Sequence, residues 1–209
     1  MAEDTVDKRK RRFLVAATTV VGGGGLIAFA IPFIQSMEPS DAVSAAGAPI
    51  DVDISKLEPG AMITVPWRGR PVWVLHRTPE QLKVLQKSSL VERLRDPESK
   101  ELQQYGTEVV NWYRSLRPEY FVVVGICTHL GCVPTYRPDI APADLGPEWP
   151  GGFYCPCHGS LYDLSGRVFK SMPAPLNLPV LPYYFKNDTL LRVGELKDKS
   201  EQNWLPQTW

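Results

Sequence analysis

The chain has 209 residues, 23 basic and 23 acidic, with four cysteines and three histidines. The zero net charge is unevenly spread: residues 1–12 carry five bases (Lys8, Arg9, Lys10, Arg11, Arg12) against Glu3, Asp4 and Asp7, which leaves the remainder slightly acidic. A nucleic-acid-binding domain would carry a basic face on its folded part, so this distribution argues against one, and the basic run has a plainer use as a topology signal.

From Phe13 to Ile34 there are 22 residues without a charge. A helix of that length reaches roughly 33 Å at about 1.5 Å per residue, enough for a hydrocarbon core of about 30 Å. It is longer than the apolar region of a cleaved signal, which favours a retained transmembrane anchor over residues 13–35. The small residues of Ala42-Val-Ser44-Ala-Ala46 leave cleavage open. Bases before the span and few after it put residues 1–12 in the cytoplasm and the rest on the outer, oxidising side. Lys10-Arg11-Arg12-Phe13-Leu14 resembles a twin-arginine export signal, with lysine at the first arginine position. Gly22–Gly25 in mid-span suits close approach by a helix of a partner membrane subunit.

Residues 36–49 are small and of low hydrophobicity and read as a tether, at most about 50 Å long when fully extended. Short strands follow. Ile50–Ile54, parts of Ala61–Trp67 and Val72–His76 alternate with period two, and Gly60 and Arg68-Gly69-Arg70-Pro71 punctuate them as turns. One helix is expected from Pro79 to about Leu94, capped by Thr78 with Gln81 completing a capping box. Tyr120–Ile126 is a buried strand. Val133–Tyr154, with prolines at 134, 138, 142, 147 and 150, reads as a long structured surface loop. Further strands are expected at Gly152–Tyr154, Leu161–Asp163, Val168–Phe169, Leu181–Lys186 and Thr189–Val193, before a polar tail, 195–209, containing Trp204 and Trp209. His76, on a strand outside both cysteine segments described next, reads as structural.

Two segments hold all four cysteines and two of the three histidines: Cys127-Thr-His129-Leu-Gly-Cys132 and Cys155-Pro-Cys157-His158-Gly-Ser160. Each offers a Cys-x-His or Cys-x-x-His couple, so two thiolates and two imidazoles can converge on one inorganic centre, with one cysteine per segment left over. Two sulfur and two nitrogen donors are the ligand set of Rieske [2Fe–2S] centres. A structural zinc site is the competing assignment, but zinc more often uses Cys-x₂₋₄-Cys and His-x₃₋₅-His pairs.

On these two segments, the basic leader, the apolar span and Pro173-Ala174-Pro175, nearly the whole chain resembles the bacterial Rieske iron–sulfur subunit of ubiquinol:cytochrome c oxidoreductase, the cytochrome bc complex or respiratory complex III. The resemblance implies an all-β Rieske domain of antiparallel sheets with one short helix, spanning 50–209. Within it, a cluster-binding subdomain covers about 121–177, and the domain sits on a single N-terminal transmembrane helix. It implies one Rieske-type [2Fe–2S] cluster, with Cys127 and Cys155 on one iron and His129 and His158 on the other, and a Cys132–Cys157 disulfide.

In the same family Ser160 and Tyr162 would donate hydroxyl hydrogen bonds to the cluster and a ligand sulfur. Leu130 and Gly131 would face a quinone pocket, and Pro173, Ala174 and Pro175 would cover the cluster, with Met172 where the family often has glycine. His158 would take a hydrogen bond from ubiquinol. The implied partners are cytochrome b and a membrane-bound c-type cytochrome in a dimeric complex, in which this subunit moves to relay one electron. Two relatives in chemistry, the Rieske ferredoxins and the small subunit of arsenite oxidase, are not expected to combine a permanent anchor with quinol-facing features.

Overall fold

A computed structural model describes residues 7–40, 47–101 and 103–197. The suggested peptidase site at 42–46, most of the 195–209 tail with both its tryptophans, and the start of the leader lie outside the described residues. The chain divides into two units, residues 1–45 and 46–209.

The first unit contains helix α1, Lys8–Ser36, which is long and apolar enough to cross a membrane. Its start is fixed by the Asp7 carboxylate, which accepts hydrogen bonds from the N–H groups of Arg9 and Lys10. Within the apolar run the Thr18 and Thr19 hydroxyls are spent on the carbonyls of Leu14 and Val15, one turn back. That internal pairing is what a polar side chain needs in lipid.

The second unit is built from three three-stranded antiparallel sheets. In order, β1 is Ile50–Asp53, β2 Met62–Trp67, β3 Arg70–His76, β4 Tyr120–Val124, β5 Thr135–Arg137, β6 Gly152–Tyr154, β7 Leu161–Tyr162, β8 Tyr183–Phe185 and β9 Leu190–Val193. The sheets run β1-β9-β8, β2-β3-β4 and β5-β6-β7. The β2-β3-β4 sheet forms the core: Val72–Leu75 of β3 and Phe121–Val124 of β4 are buried along their whole length. The β5-β6-β7 sheet packs on it through Phe153, whose ring stacks on Trp73 at 5.0 Å and lies 6.4 Å from Phe121. The two cysteine segments extend from these sheets, the first just beyond β4 and the second between β6 and β7.

The expected helix over 79–94 is in fact two short ones, α2 Pro79–Leu85 and α3 Ser88–Val91. The capping box is present: the Thr78 hydroxyl accepts from Gln81 N–H and the Gln81 side chain accepts from Thr78 N–H. The break at Gln86–Lys87 has a geometric cause. At 100° per residue a straight helix would turn Leu90 and Leu94 roughly 140° and 180° away from Leu85, yet all three are buried. Breaking the helix lets each reach the core. A 3₁₀ turn at Thr107–Val109 and strand β5 were not anticipated, while Val168 and Phe169 make only single bridges, to Tyr162 and Leu94.

Candidate metal centre

The two cysteine segments adopt the same turn. In the first, Cys127 N–H donates to the Cys132 carbonyl at 2.7 Å and Gly131 N–H donates to the Cys127 carbonyl at 3.0 Å. In the second, Cys155 N–H donates to the Ser160 carbonyl at 2.8 Å and Gly159 N–H to the Cys155 carbonyl at 3.0 Å. The fifth residue of each turn lies in the left-handed region, φ 82° for Gly131 and 75° for Gly159, which is why glycine stands there. Each turn opens on a buried free cysteine, Cys127 or Cys155, and lifts a histidine toward the other turn. The His129 and His158 rings meet edge to face with centroids 4.7 Å apart.

The remaining cysteines, Cys132 and Cys157, are joined in a disulfide with Cα atoms 6.6 Å apart. The sulfurs of Cys132, Cys155 and Cys157 all lie within 4.8 Å of one another. This trio is not a ligand set, because metal ligation needs thiolates and two of its sulfurs are committed to each other. Cys127 and Cys155 are the available sulfurs, and they are in contact with each other. Burial, reinforced by the neighbouring Cys127, pushes the Cys155 thiol above its ordinary pKa, so ionisation there needs a cation to compensate it.

Nδ1 of His129 is buried with no hydrogen-bond partner among the described residues. An orphaned imidazole nitrogen beside two buried thiols and a second imidazole is what a metal-ligating position requires. The donors therefore fit a cluster ligated by sulfur on one side and nitrogen on the other.

Further groups hold the turns in register. The Tyr162 hydroxyl, fully buried, accepts from Thr128 N–H at 3.2 Å and lies 3.3 Å from Cys127 Sγ and 3.2 Å from Thr128 Oγ1. Thr128 gives its own hydrogen to the Leu176 carbonyl at 2.7 Å, which leaves the tyrosine as the donor toward the threonine oxygen or the sulfur. Burial raises the Tyr162 pKa far above the usual phenol range, so it stays a donor.

Ser160 is also buried; its Oγ accepts from Ala174 N–H at 3.1 Å, leaving its hydrogen free to point elsewhere. Pro173-Ala174-Pro175 is thus tied to the second turn through Ser160, and the adjoining Leu176 is tied to the first turn through Thr128. The left-handed backbone of this loop falls on Ser171, φ 58°, so Met172 needs none. Leu130 is 71% exposed, and Gly131, His158 and Pro173 are exposed as well. His76 is elsewhere, its Nδ1 on the Leu57 carbonyl and its ring stacked on Tyr120.

Thr128 was not singled out from the sequence, nor was Gly125. A Cβ on Gly125 would sit 2.2 Å from the Trp73 indole, so the approach to the first turn requires a residue without a side chain. A glycine two residues before a candidate ligand cysteine was the available signal.

Two family models match: "Rieske [2Fe-2S] domain" over residues 80–182 and "Ubiquitinol-cytochrome C reductase Fe-S subunit TAT signal" over residues 1–40. The chain is 54% identical over 195 residues to the ubiquinol-cytochrome c reductase iron-sulfur subunit of Allochromatium vinosum, covering 93% of each chain. It belongs to the family of ubiquinol-cytochrome c reductase iron-sulfur subunits. The counterpart from Blastochloris viridis is 42% identical over 92% of this chain and 97% of its own. Among solved structures, a chain of a hyperthermophilic respiratory complex III aligns over 86% of this chain and 98% of its own, at 25% identity and a TM-score of 0.45. As a member of this family the chain carries a Rieske [2Fe–2S] domain behind a twin-arginine signal. Membership also removes the zinc assignment left open by the ligand types.

Proposed function

We propose that this chain is the electron-transfer subunit of a ubiquinol–cytochrome c reductase, taking one electron from ubiquinol and handing it to a membrane-bound c-type cytochrome. The observation that carries this reading is the convergence of two buried thiols and two imidazoles at a tip where His158 and Leu130 face outward. Cys127 and Cys155 would hold one iron and His129 and His158 the other. When bound there, a [2Fe–2S] group supplies a one-electron acceptor at about −150 to +300 mV, well above the about −400 mV of plant-type ferredoxins.

The chain's own residues do the rest. The ring nitrogen of His158 that does not face the metal accepts the hydrogen bond of a quinol hydroxyl, and takes its proton as the electron leaves. Leu130 and Pro173, both exposed, add apolar surface suited to a quinone pocket formed with cytochrome b. Ser160 and Tyr162 offer hydroxyl hydrogens to sulfur, which favours the more negative, reduced state.

Residues 36–49 tether the domain so that it can travel from cytochrome b to the c-type cytochrome, in a dimeric complex of the inner membrane. Five bases in the first turns of α1, ahead of its apolar run, favour a cytoplasmic N-terminus and a periplasmic domain, where the disulfide persists. The subunit alone oxidises no quinol.

The test is His158→Gln in the assembled complex. Loss of both the nitrogen-ligated cluster spectrum and quinol turnover is expected; a normal spectrum with normal turnover would refute the role given to this residue. Tyr162→Phe is a milder change. It is expected to keep the cluster but lower its midpoint potential, since a differential of about 1 kcal/mol between redox states corresponds to roughly 40 mV for one electron. Potentiometry followed by electron paramagnetic resonance reads this directly, and an unmoved midpoint would count against the hydrogen bond to Cys127.

A further inference from the structure

Among the described residues the buried charged side chains are Arg77, Arg114, Arg167 and Asp163: three cations and one anion. Arg167 is neutralised, its Nε donating to Asp163 Oδ2 at 2.7 Å. The other Asp163 oxygen accepts from the N–H groups of Ser165 and Arg167. Arg77 and Arg114 bond to neutral acceptors instead. Arg77 donates to the carbonyls of Pro118 and Tyr113 at 2.8 Å, to Ser165 Oγ at 2.9 Å and to Ser115 Oγ at 2.7 Å. Arg114 donates to the carbonyls of Ser165 at 3.0 Å and Leu178 at 2.9 Å, and to Gln104 Oε1. Burial pulls both guanidinium pKa values down to about 9, which leaves both charged at neutral pH.

Holding unneutralised cations in a core carries a desolvation cost that neutral donors would avoid. Stapling loops together does not account for it. Arg114 leaves its Nε buried with no partner among the described residues, and its backbone is held at φ 50°, unfavourable for a long side chain. What distinguishes the two arginines from neutral staples is their charge, and its location is specific. Residues 163–167 continue directly from β7. Immediately before this segment the Tyr162 hydroxyl lies 3.3 Å from Cys127 Sγ, and within it Ser165 bonds to both guanidiniums. Solvent does not reach the intervening core, so the field there is weakly screened.

We propose that Arg77 and Arg114 are tuning residues that raise the reduction potential of the metal centre through the positive charge they hold in the core against the segment that follows β7. Their effect is separate from the hydrogen bonds of Ser160 and Tyr162. A fixed positive potential stabilises whichever state of the centre carries the extra electron, and Asp163 subtracts from it. The inference rests on the [2Fe–2S] reading above. The resonance spectrum of the unaltered protein reports that ligand set before any arginine is changed, so failure of the reading is seen separately.

The experiment measures midpoint potential, by potentiometry with resonance detection, in the assembled complex carrying single substitutions. Arg77→Gln and Arg114→Gln are expected to lower the potential, Asp163→Asn to raise it, and Arg77→Lys and Arg114→Lys to leave it near that of the unaltered protein. Opposite signs for removing a cation and removing the anion identify charge as the cause, because disturbed packing has no reason to follow the sign. If the glutamine variants hold no cluster, the sign of the Asp163→Asn shift decides. Shifts of one sign for both kinds of change, no shift at all, lysine variants as low as the glutamine ones, or loss of the cluster in every variant would overturn the proposal and leave the arginines as folding staples.

Discussion

Cys155→Ser and Cys127→Ser are each expected to yield a folded domain with no bound iron and no visible colour. The turns that present these residues are closed by backbone hydrogen bonds, Cys155 N–H to the Ser160 carbonyl and Cys127 N–H to the Cys132 carbonyl, which the substitution does not touch. The Cys132–Cys157 disulfide also remains. What disappears is the sulfur. A serine hydroxyl ionises far less readily than a thiol, and ligation needs the deprotonated form. The expected outcome is therefore loss of iron to background with circular dichroism of the β-domain retained, measured by metal analysis and absorption on the purified chain. The comparison that gives the test its force is the Cys132→Ser, Cys157→Ser double variant, which removes two sulfurs of the same neighbourhood but keeps both proposed ligands. If Cys155→Ser kept its iron while that double variant lost it entirely, the division of the four cysteines into ligands and a staple would be wrong.

Much of this site was legible because its chemistry is written in residue types and spacings. The two cysteine segments, the Thr78–Gln81 capping box and strand β4 follow from local pattern, and the structure carries them as read. The family resemblance supplied the pairing of Cys132 with Cys157, which spacing alone leaves open. Other features depend on contacts between residues distant in sequence and leave no local trace. Thr128 bridges to Leu176 across 48 positions, and Arg77 reaches Ser165 across 88. A sequence window sees an ordinary threonine and an ordinary strand-end arginine. The helix over 79–94 was misjudged for a related reason: its propensity is continuous, but the burial of Leu85, Leu90 and Leu94 is a tertiary demand that a straight helix cannot meet. Strand β5 was hidden inside a proline-rich loop because its three residues pair only once β6 is in place to receive them.

Removing the disulfide, with both Cys132 and Cys157 replaced by serine, is expected to lower the melting temperature by roughly 10 °C and to make the bound iron labile. The bond links positions 25 apart, for which chain-entropy arguments give about 3.5 kcal/mol. In a domain of this size each kcal/mol is worth about 2–4 °C. The full value is an upper figure, because the intervening β5–β6 hairpin has restraints of its own. Arg137 grips Asp144 through both guanidinium nitrogens at 2.8 and 2.9 Å, and Trp149 is buried in the core with its indole N–H on the Arg137 carbonyl. Those restraints act in the 138–151 loop, at the end of the hairpin away from the cysteines. At the cysteine end, the disulfide is the covalent link between the turn carrying His129 and the turn carrying His158, so its loss loosens the pair proposed to share one metal. Iron release into a chelator should therefore quicken more than the melting shift alone would suggest. Treating the unaltered protein with dithiothreitol should reproduce both changes, and the double variant should not respond to it. Equal melting temperatures and equal release rates would mean that the two turns are held together by Thr128, Ser160 and the proline loop without help from the bond.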